Sequence, residues 1–483
     1  MGLLEGTRGP SRPRAHRRLR GRLGPARVRG RPGRPGRHGP PHRRGHPPGP
    51  RARTHARPRR RRDPGGGPAR PADRRRLPPP AAVLLSPLEH ALLRRPRPRP
   101  PHPAITAGSL CPGRHADPAR PLPPPALAAR AWLLLDATSG QVLGAHDPDK
   151  RIEPASLTKM MTAYVVFQAL RDHGVALDTR VTVSTRAWKV APGSSRMFLE
   201  PGKQATIDEL LNGLLVQSGN DAAIALAEGV AGSVEAFVAR MNQQAGRMGL
   251  ASTHFSNPHG LPDPQTYSTA RDLSMLAARI VRDFPGLAGT YDATRQYTYN
   301  RITQPNRNRL LWLDASVDGM KTGHTESAGY SLVATARRAS GNVQRRLISV
   351  VVGTASDHDR TRQSRELLEW GFRSFETVRL YAGGTPVGSP RIWKGTRSTV
   401  PIGFERDTYV TVRPGARIER TLVPASPLVA PLAAGQRVGE LEVRVDGEPA
   451  WRLPLVALQP VREASWFGRT WDGLRLWLHG LGA

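Results

Sequence analysis

The run Lys159-Met160-Met161-Thr162-Ala163-Tyr164-Val165-Val166-Phe167-Gln168-Ala169-Leu170 is apolar on nearly every side of a helix. Such a helix has no face to give to water, so the rest of the chain must wrap it. Pro154 and Ala155 precede its first turn, and Gly174 is placed to cap its end. That first turn carries Ser156 and Lys159, which at a spacing of three share a helix face. An amine in a buried turn is costly unless it has a use. A hydroxyl needs a base within reach to become a nucleophile, and a lysine serves as one when burial and a second cation lower its pKa. Taken alone, Ser156 reads equally well as a plain helix N-cap.

Two further strings shift that balance. Ser218-Gly219-Asn220 lies between helical patterns over 207–216 and 221–227, where a tight turn aims one hydroxyl and one amide into a cleft. Lys321-Thr322-Gly323 ends in a glycine that permits close backbone approach and precedes a strand-like run over 330–336. An edge strand there would align an extended substrate, with Lys321 and Thr322 meeting a carboxylate and Lys321 as the candidate second cation. The tripeptide recurs as Ser340-Gly341-Asn342 between strand patterns over 330–336 and 347–352, where it reads as a hairpin turn.

Together the three strings resemble the penicillin-recognising serine enzymes, with their Ser-x-x-Lys, Ser-x-Asn and Lys-Thr-Gly. Longer stretches resemble the low-molecular-mass penicillin-binding proteins, the serine D-alanyl-D-alanine carboxypeptidases typified by penicillin-binding protein 5. These are 154–162, 217–222, Asn306-Arg307-Asn308 with Leu311-Trp312, and 317–325. The similarity is strong over about 126–380 and looser beyond. It implies that Ser156 forms an acyl-enzyme, that Lys159 is its base, and that Ser218 and Asn220 relay protons and position substrate beside Lys321. Backbone N–H groups at Ser156 and near His324 would form an oxyanion hole. Thr322, Gly323 and His324 would line the substrate strand. Arg307 and Arg360 match the family's two arginines, either of which would hold a terminal carboxylate.

The reaction implied is removal of the terminal D-Ala from peptidoglycan stem peptides, with β-lactams acylating the same serine. A D,D-endopeptidase, a β-lactamase on the same scaffold and an inactive wall-binding module are the alternatives. No Glu-x-x-x-Asn element of the class A lactamase kind is present. Neither metal nor cofactor is expected: His254, His259 and His324 form no ligand-spaced cluster, and Cys111 has no partner. The histidines of 253–261 read as packing and hydrogen-bonding residues.

Residues 1–120 differ in kind, with 31 Arg, no Lys and 5 acidic residues, so most of the chain's formal charge of +35 resides there. The first hundred residues lack Phe, Tyr, Trp, Asn, Gln and Lys. Such a segment buries too little apolar surface to offset its ordering entropy, and disorder is expected over 1–125. Without aromatic interleaving or a reader motif, no specific nucleic acid is expected as partner. The alphabet also fits GC-rich DNA read from a start placed too far upstream. The run 81–88 is a poor export signal, broken by Pro87 and followed by Glu89.

The fold class expected is α+β: a penicillin-binding, β-lactamase-like catalytic domain over 126–378, with helices around an antiparallel sheet. A small β-sandwich-like domain over 379–461 follows, and then an amphipathic helix over 462–483. In that helix Trp466, Phe467, Trp471, Leu474, Trp477, Leu478 and Leu481 recur at helical spacing, as in a helix lying on a bilayer. Related carboxypeptidases carry such an anchor, which places the expected protein on the periplasmic face of the inner membrane. A helix docked on the β domain is the alternative.

Overall fold

The computed structural model describes residues 123–480. The expectations for residues 1–122 and Leu481 lie outside them. The architecture is α+β, with a five-stranded antiparallel sheet at its centre. Its strands are β1 (Ala131–Asp136), β2 (Gln141–His146), β3 (Val317–Thr325), β4 (Gly329–Ser340) and β5 (Val343–Thr354), in the order β2-β1-β5-β4-β3. Strand β1 is buried along its whole length because both sheet faces are covered. Leu133, Leu135, Val333, Ile348 and Val350 face one core, while Trp132, Leu134, Leu332, Leu347 and Val351 face another. This period-two division explains the unbroken apolar run 132–135.

The first core holds the apolar helix. Ala155–Thr158 forms a 3₁₀ turn that runs straight into Lys159–Arg171, whose residues 159–167 are all buried. Helices Ile207–Leu215, Asn220–Ala231, Val234–Met248 and Ala270–Asp283 wrap it, as its all-round hydrophobicity requires. Its end departs from expectation in one detail. His173, rather than Gly174, takes the left-handed backbone (φ 56°), while the Gly174 N–H closes back on the Ala169 carbonyl. The second core lies under helix Asp357–Ser374, capped by the Ser356 hydroxyl, which accepts from the Asp359 N–H. Ser340-Gly341-Asn342 is the β4–β5 hairpin, with Ser340 opposite Val343 and Gly341 at φ 59°.

The C-terminal part has its own core and a five-stranded sheet that includes Ile418–Pro424, Arg437–Val445 and Glu448–Ala457. A buried node joins it to the central sheet. Asp136 at the end of β1 accepts from Arg345 Nε (2.8 Å) on β5, and from the hydroxyls of Thr377 (2.6 Å) and Thr411 (2.9 Å). Arg345 also donates to the Gly371 and Phe375 carbonyls. Asp136 and Arg345 are almost fully excluded from solvent.

The terminal helix Trp466–Gly480 rests on the β part through Asp472, whose carboxylate accepts from the Lys394 N–H (2.8 Å). Trp466, Phe467, Trp471 and Trp477 nonetheless remain more than half exposed. No single helix among the described residues is long and apolar enough to cross a membrane.

Candidate active site

The three sequence strings converge on one cleft, a cavity of about 600 Å³. Its lining includes Ser156, Ser218, Asn220, Thr322, Gly323 and His324. The convergence depends on glycine at two positions. A Cβ on Gly323 would lie 3.0 Å from the Pro154 carbonyl oxygen and 3.1 Å from the Leu157 side chain, so the glycine eases the close approach of β3 to the nucleophile turn. A Cβ on Gly260, which has φ +80°, would lie 1.9 Å from the Ala155 oxygen. This second approach presses the 257–261 loop onto the same turn.

Lys159 Nζ donates to Ser156 Oγ (3.0 Å), Asn220 Oδ1 (2.7 Å) and the His259 carbonyl (2.6 Å). The amine is completely enclosed. Burial, with the Arg307 charge adding to it, lowers its pKa to about 7 against the pull of Asp221. Lys321, expected to be the second cation, shares the cleft with Lys159, and the two amines repel one another. Its own amine is lowered well below the ordinary lysine value, by burial first and then by Lys159, Arg307 and Arg360. Two enclosed amines in one cleft compete for charge, with the guanidinium groups of Arg307 and Arg360 beside them. Lys321 Nζ donates to the Thr322 carbonyl at 3.0 Å.

Ser218 sits in the left-handed region (φ 66°), and its Oγ is buried without a hydrogen-bond partner among the described residues. A non-glycine residue in that conformation marks strain held by its surroundings. Those surroundings include the Gly219 N–H bonded to the Gly213 carbonyl and the Asn220 N–H bonded to the Ser195 carbonyl. Asn220 opens helix Asn220–Ala231. The buried Asp221 carboxylate accepts from the Met197, Leu199 and Ala222 N–H groups and so fixes the opposite wall.

The two arginines are placed differently. Both line the cleft, but Arg307 is exposed and has no hydrogen-bond or ion-pair partner among the described residues. Arg360 lies within the first turn of helix Asp357–Ser374. It is buried, pairs with Asp357 and donates to the Gly323 carbonyl at 3.1 Å. It therefore braces β3. The His324 ring is exposed and stacks on Tyr330 with centroids 3.9 Å apart.

Residues 118–356 match the D-alanyl-D-alanine carboxypeptidase family, and residues 375–463 match the C-terminal domain of penicillin-binding protein 5. D-alanyl-D-alanine carboxypeptidase DacC of Escherichia coli is 42% identical over 363 residues, covering 74% of this chain and 90% of that protein. DacA of Haemophilus influenzae is also 42% identical, over 74% of this chain and 91% of its own length. The crystal structure of penicillin-binding protein 5 from Haemophilus influenzae superposes with a TM-score of 0.67 at 40% identity, covering 71% of this chain and all of that one. The chain belongs to the D-alanyl-D-alanine carboxypeptidase family.

For a member of this family, the part of the site least visible in the sequence is the His259 carbonyl. It is a backbone acceptor 100 positions from the lysine it meets. The His259 ring is pushed down to about 3, chiefly by burial with Lys159 adding to it, and its Nδ1 accepts from the Leu261 N–H. That ring orders the loop. The signal for the loop's role was Gly260, whose missing side chain admits the contact.

Proposed function

We propose that this carboxypeptidase-family chain removes the terminal D-Ala from peptidoglycan stem peptides through an acyl-enzyme on Ser156. The observation that carries the reading is the enclosed Lys159 amine, 3.0 Å from Ser156 Oγ and lowered to about 7. At neutral pH much of that amine is free to take the serine proton as Oγ attacks the penultimate carbonyl. The oxyanion would be met by the backbone N–H groups of Ser156 and His324, and D-Ala would leave with a proton relayed through Ser218. Arg307, exposed and unpaired among the described residues, suits the substrate's terminal carboxylate, and Lys321, Thr322 and Gly323 form the strand against which the peptide extends. Arg360 supports that strand. Penicillins would acylate Ser156 as mimics of the same peptide. The test is D-Ala release from a peptide ending in D-Ala-D-Ala, run beside cross-linked muropeptide and a chromogenic β-lactam. Release from the first is the expected result, and its absence in a folded sample defeats the reading.

The acid limb of activity follows from Lys159. Burial disfavours its charged form, so the amine is protonated and idle below about 7. Acylation by penicillin is expected to rise about tenfold per pH unit below that point and to level above it. Arg307→Ala removes a charge that lowers the Lys159 pKa, so the midpoint should move to higher pH. A midpoint that stays in place would show that Lys159 is not the group titrating.

The domain reading follows the family: a catalytic unit over 126–378, a β unit over 379–461 and a terminal segment over 462–483 that carries the helix Trp466–Gly480. The substrate belongs to the wall, outside the cytoplasm. We further propose that the terminal helix lies on the membrane surface facing the wall, since four large aromatics exposed on a helix already tied down at Asp472 fit a bilayer interface. Trp466→Ser, Trp471→Ser and Trp477→Ser together leave the Asp472 contact intact. They are expected to lower binding to phospholipid vesicles about tenfold or more. Unchanged binding would assign the helix to the β part alone.

A further inference from the structure

Gln217 is 1% exposed, and neither its amide oxygen nor its amide nitrogen has a hydrogen-bond partner among the described residues. The next side chain, Ser218, is likewise buried with an unpaired hydroxyl. Native interiors leave few such groups, and a residue with both ends of an amide unpaired is a poor filler where an apolar side chain would pack without loss. Gln217 and Ser218 line the same cavity as Ser156. Three other polar groups nearby are occupied. Asn220 Oδ1 and the His259 carbonyl accept from Lys159, and the Asp221 carboxylate is held by three backbone N–H groups.

An amide both donates and accepts, which are the two capacities needed to orient a water molecule. We propose that Gln217 holds the water that hydrolyses the acyl-enzyme. The inference rests on Ser156 as the acylated nucleophile. In that step the water oxygen adds to the ester carbonyl while one water proton passes to the neutral Lys159 amine. The tetrahedral intermediate then collapses: the bond from carbonyl carbon to Ser156 Oγ breaks, and Lys159 returns the proton to Oγ. The acid product leaves and free serine is restored. The Gln217 carbonyl accepts a hydrogen bond from the water's other O–H, whose proton stays on oxygen, and its NH₂ donates to the water oxygen before attack, so the water is bound in one orientation. Acylation does not use this water, so the two half-reactions should respond differently to loss of the amide.

The test uses the whole chain, labelled with a fluorescent penicillin, with formation and loss of the label timed separately. Gln217→Met keeps the volume and removes both polar atoms. It is expected to acylate within about threefold of the parent while losing the label about tenfold or more slowly. Hydroxylamine in excess needs no held water, and should strip the label from parent and variant at equal rates. Gln217→Asn, which withdraws the amide by one methylene, should show the same split to a smaller extent and serves if the methionine variant does not fold. Loss of label at the parental rate in both variants overturns the proposal, as does an equal fall in both half-reactions, which marks a structural role. Failure of the parent to label at Ser156 defeats the acyl-enzyme reading instead.

Discussion

Ser156→Ala is expected to abolish covalent labelling by a fluorescent penicillin, and Lys159→Met to slow it by about 10²–10⁴-fold. The two variants remove different parts of one device. Without Ser156 no ester forms. Without Lys159 the hydroxyl stays within the cleft but has no base at 3.0 Å. Methionine suits position 159 because it fills the same enclosed channel without an ionisable group, and the fold should tolerate it. Thermal unfolding beside the labelling assay separates lost chemistry from lost structure. Labelling of Lys159→Met at the parental rate would remove the lysine from the mechanism.

The second large effect is on stability. Asp136→Ala leaves the Arg345 guanidinium enclosed without its counter-charge and deprives the Thr377 and Thr411 hydroxyls of their acceptor. Breaking a buried pair from one side costs about 3–5 kcal/mol. The urea midpoint should fall accordingly. Replacing both partners, Asp136→Ala with Arg345→Met, is expected to recover much of the loss, because no unpaired charge remains. An Asp136→Ala protein as stable as the parent would mean that water reaches the node.

What the sequence made legible was local. Ser156 and Lys159 are three residues apart on a helix whose apolar wrapping demands burial. Asn220 opens the helix predicted after its turn, and Gly341 sits in a two-residue hairpin that its flanking strands announce. The same tripeptide at 218–220 and 340–342 folds as two unlike turns, because the flanking periodicity differs: helical around one, alternating around the other. Contacts across long separations were silent. Nothing in the residue type of His259 marks its carbonyl as a ligand for Lys159, since any amino acid supplies that oxygen. Asp136 and Arg345 are 209 positions apart among many charges. Arg360 looked interchangeable with Arg307 until its helix and its bonds to Gly323 and Asp357 were seen.

The three oxygens around Lys159 have a consequence for how the base is aimed. As an ammonium the residue has three N–H bonds, one for each oxygen. As a neutral amine it has two, and one direction becomes a lone pair. The Asn220 amide oxygen and the His259 carbonyl can only accept, so each must keep an N–H. Of the three neighbours, only the Ser156 hydroxyl can turn round and donate. Losing a proton therefore points the lone pair at the nucleophile with no side chain moving. The amine's orientation is dictated by its proton count.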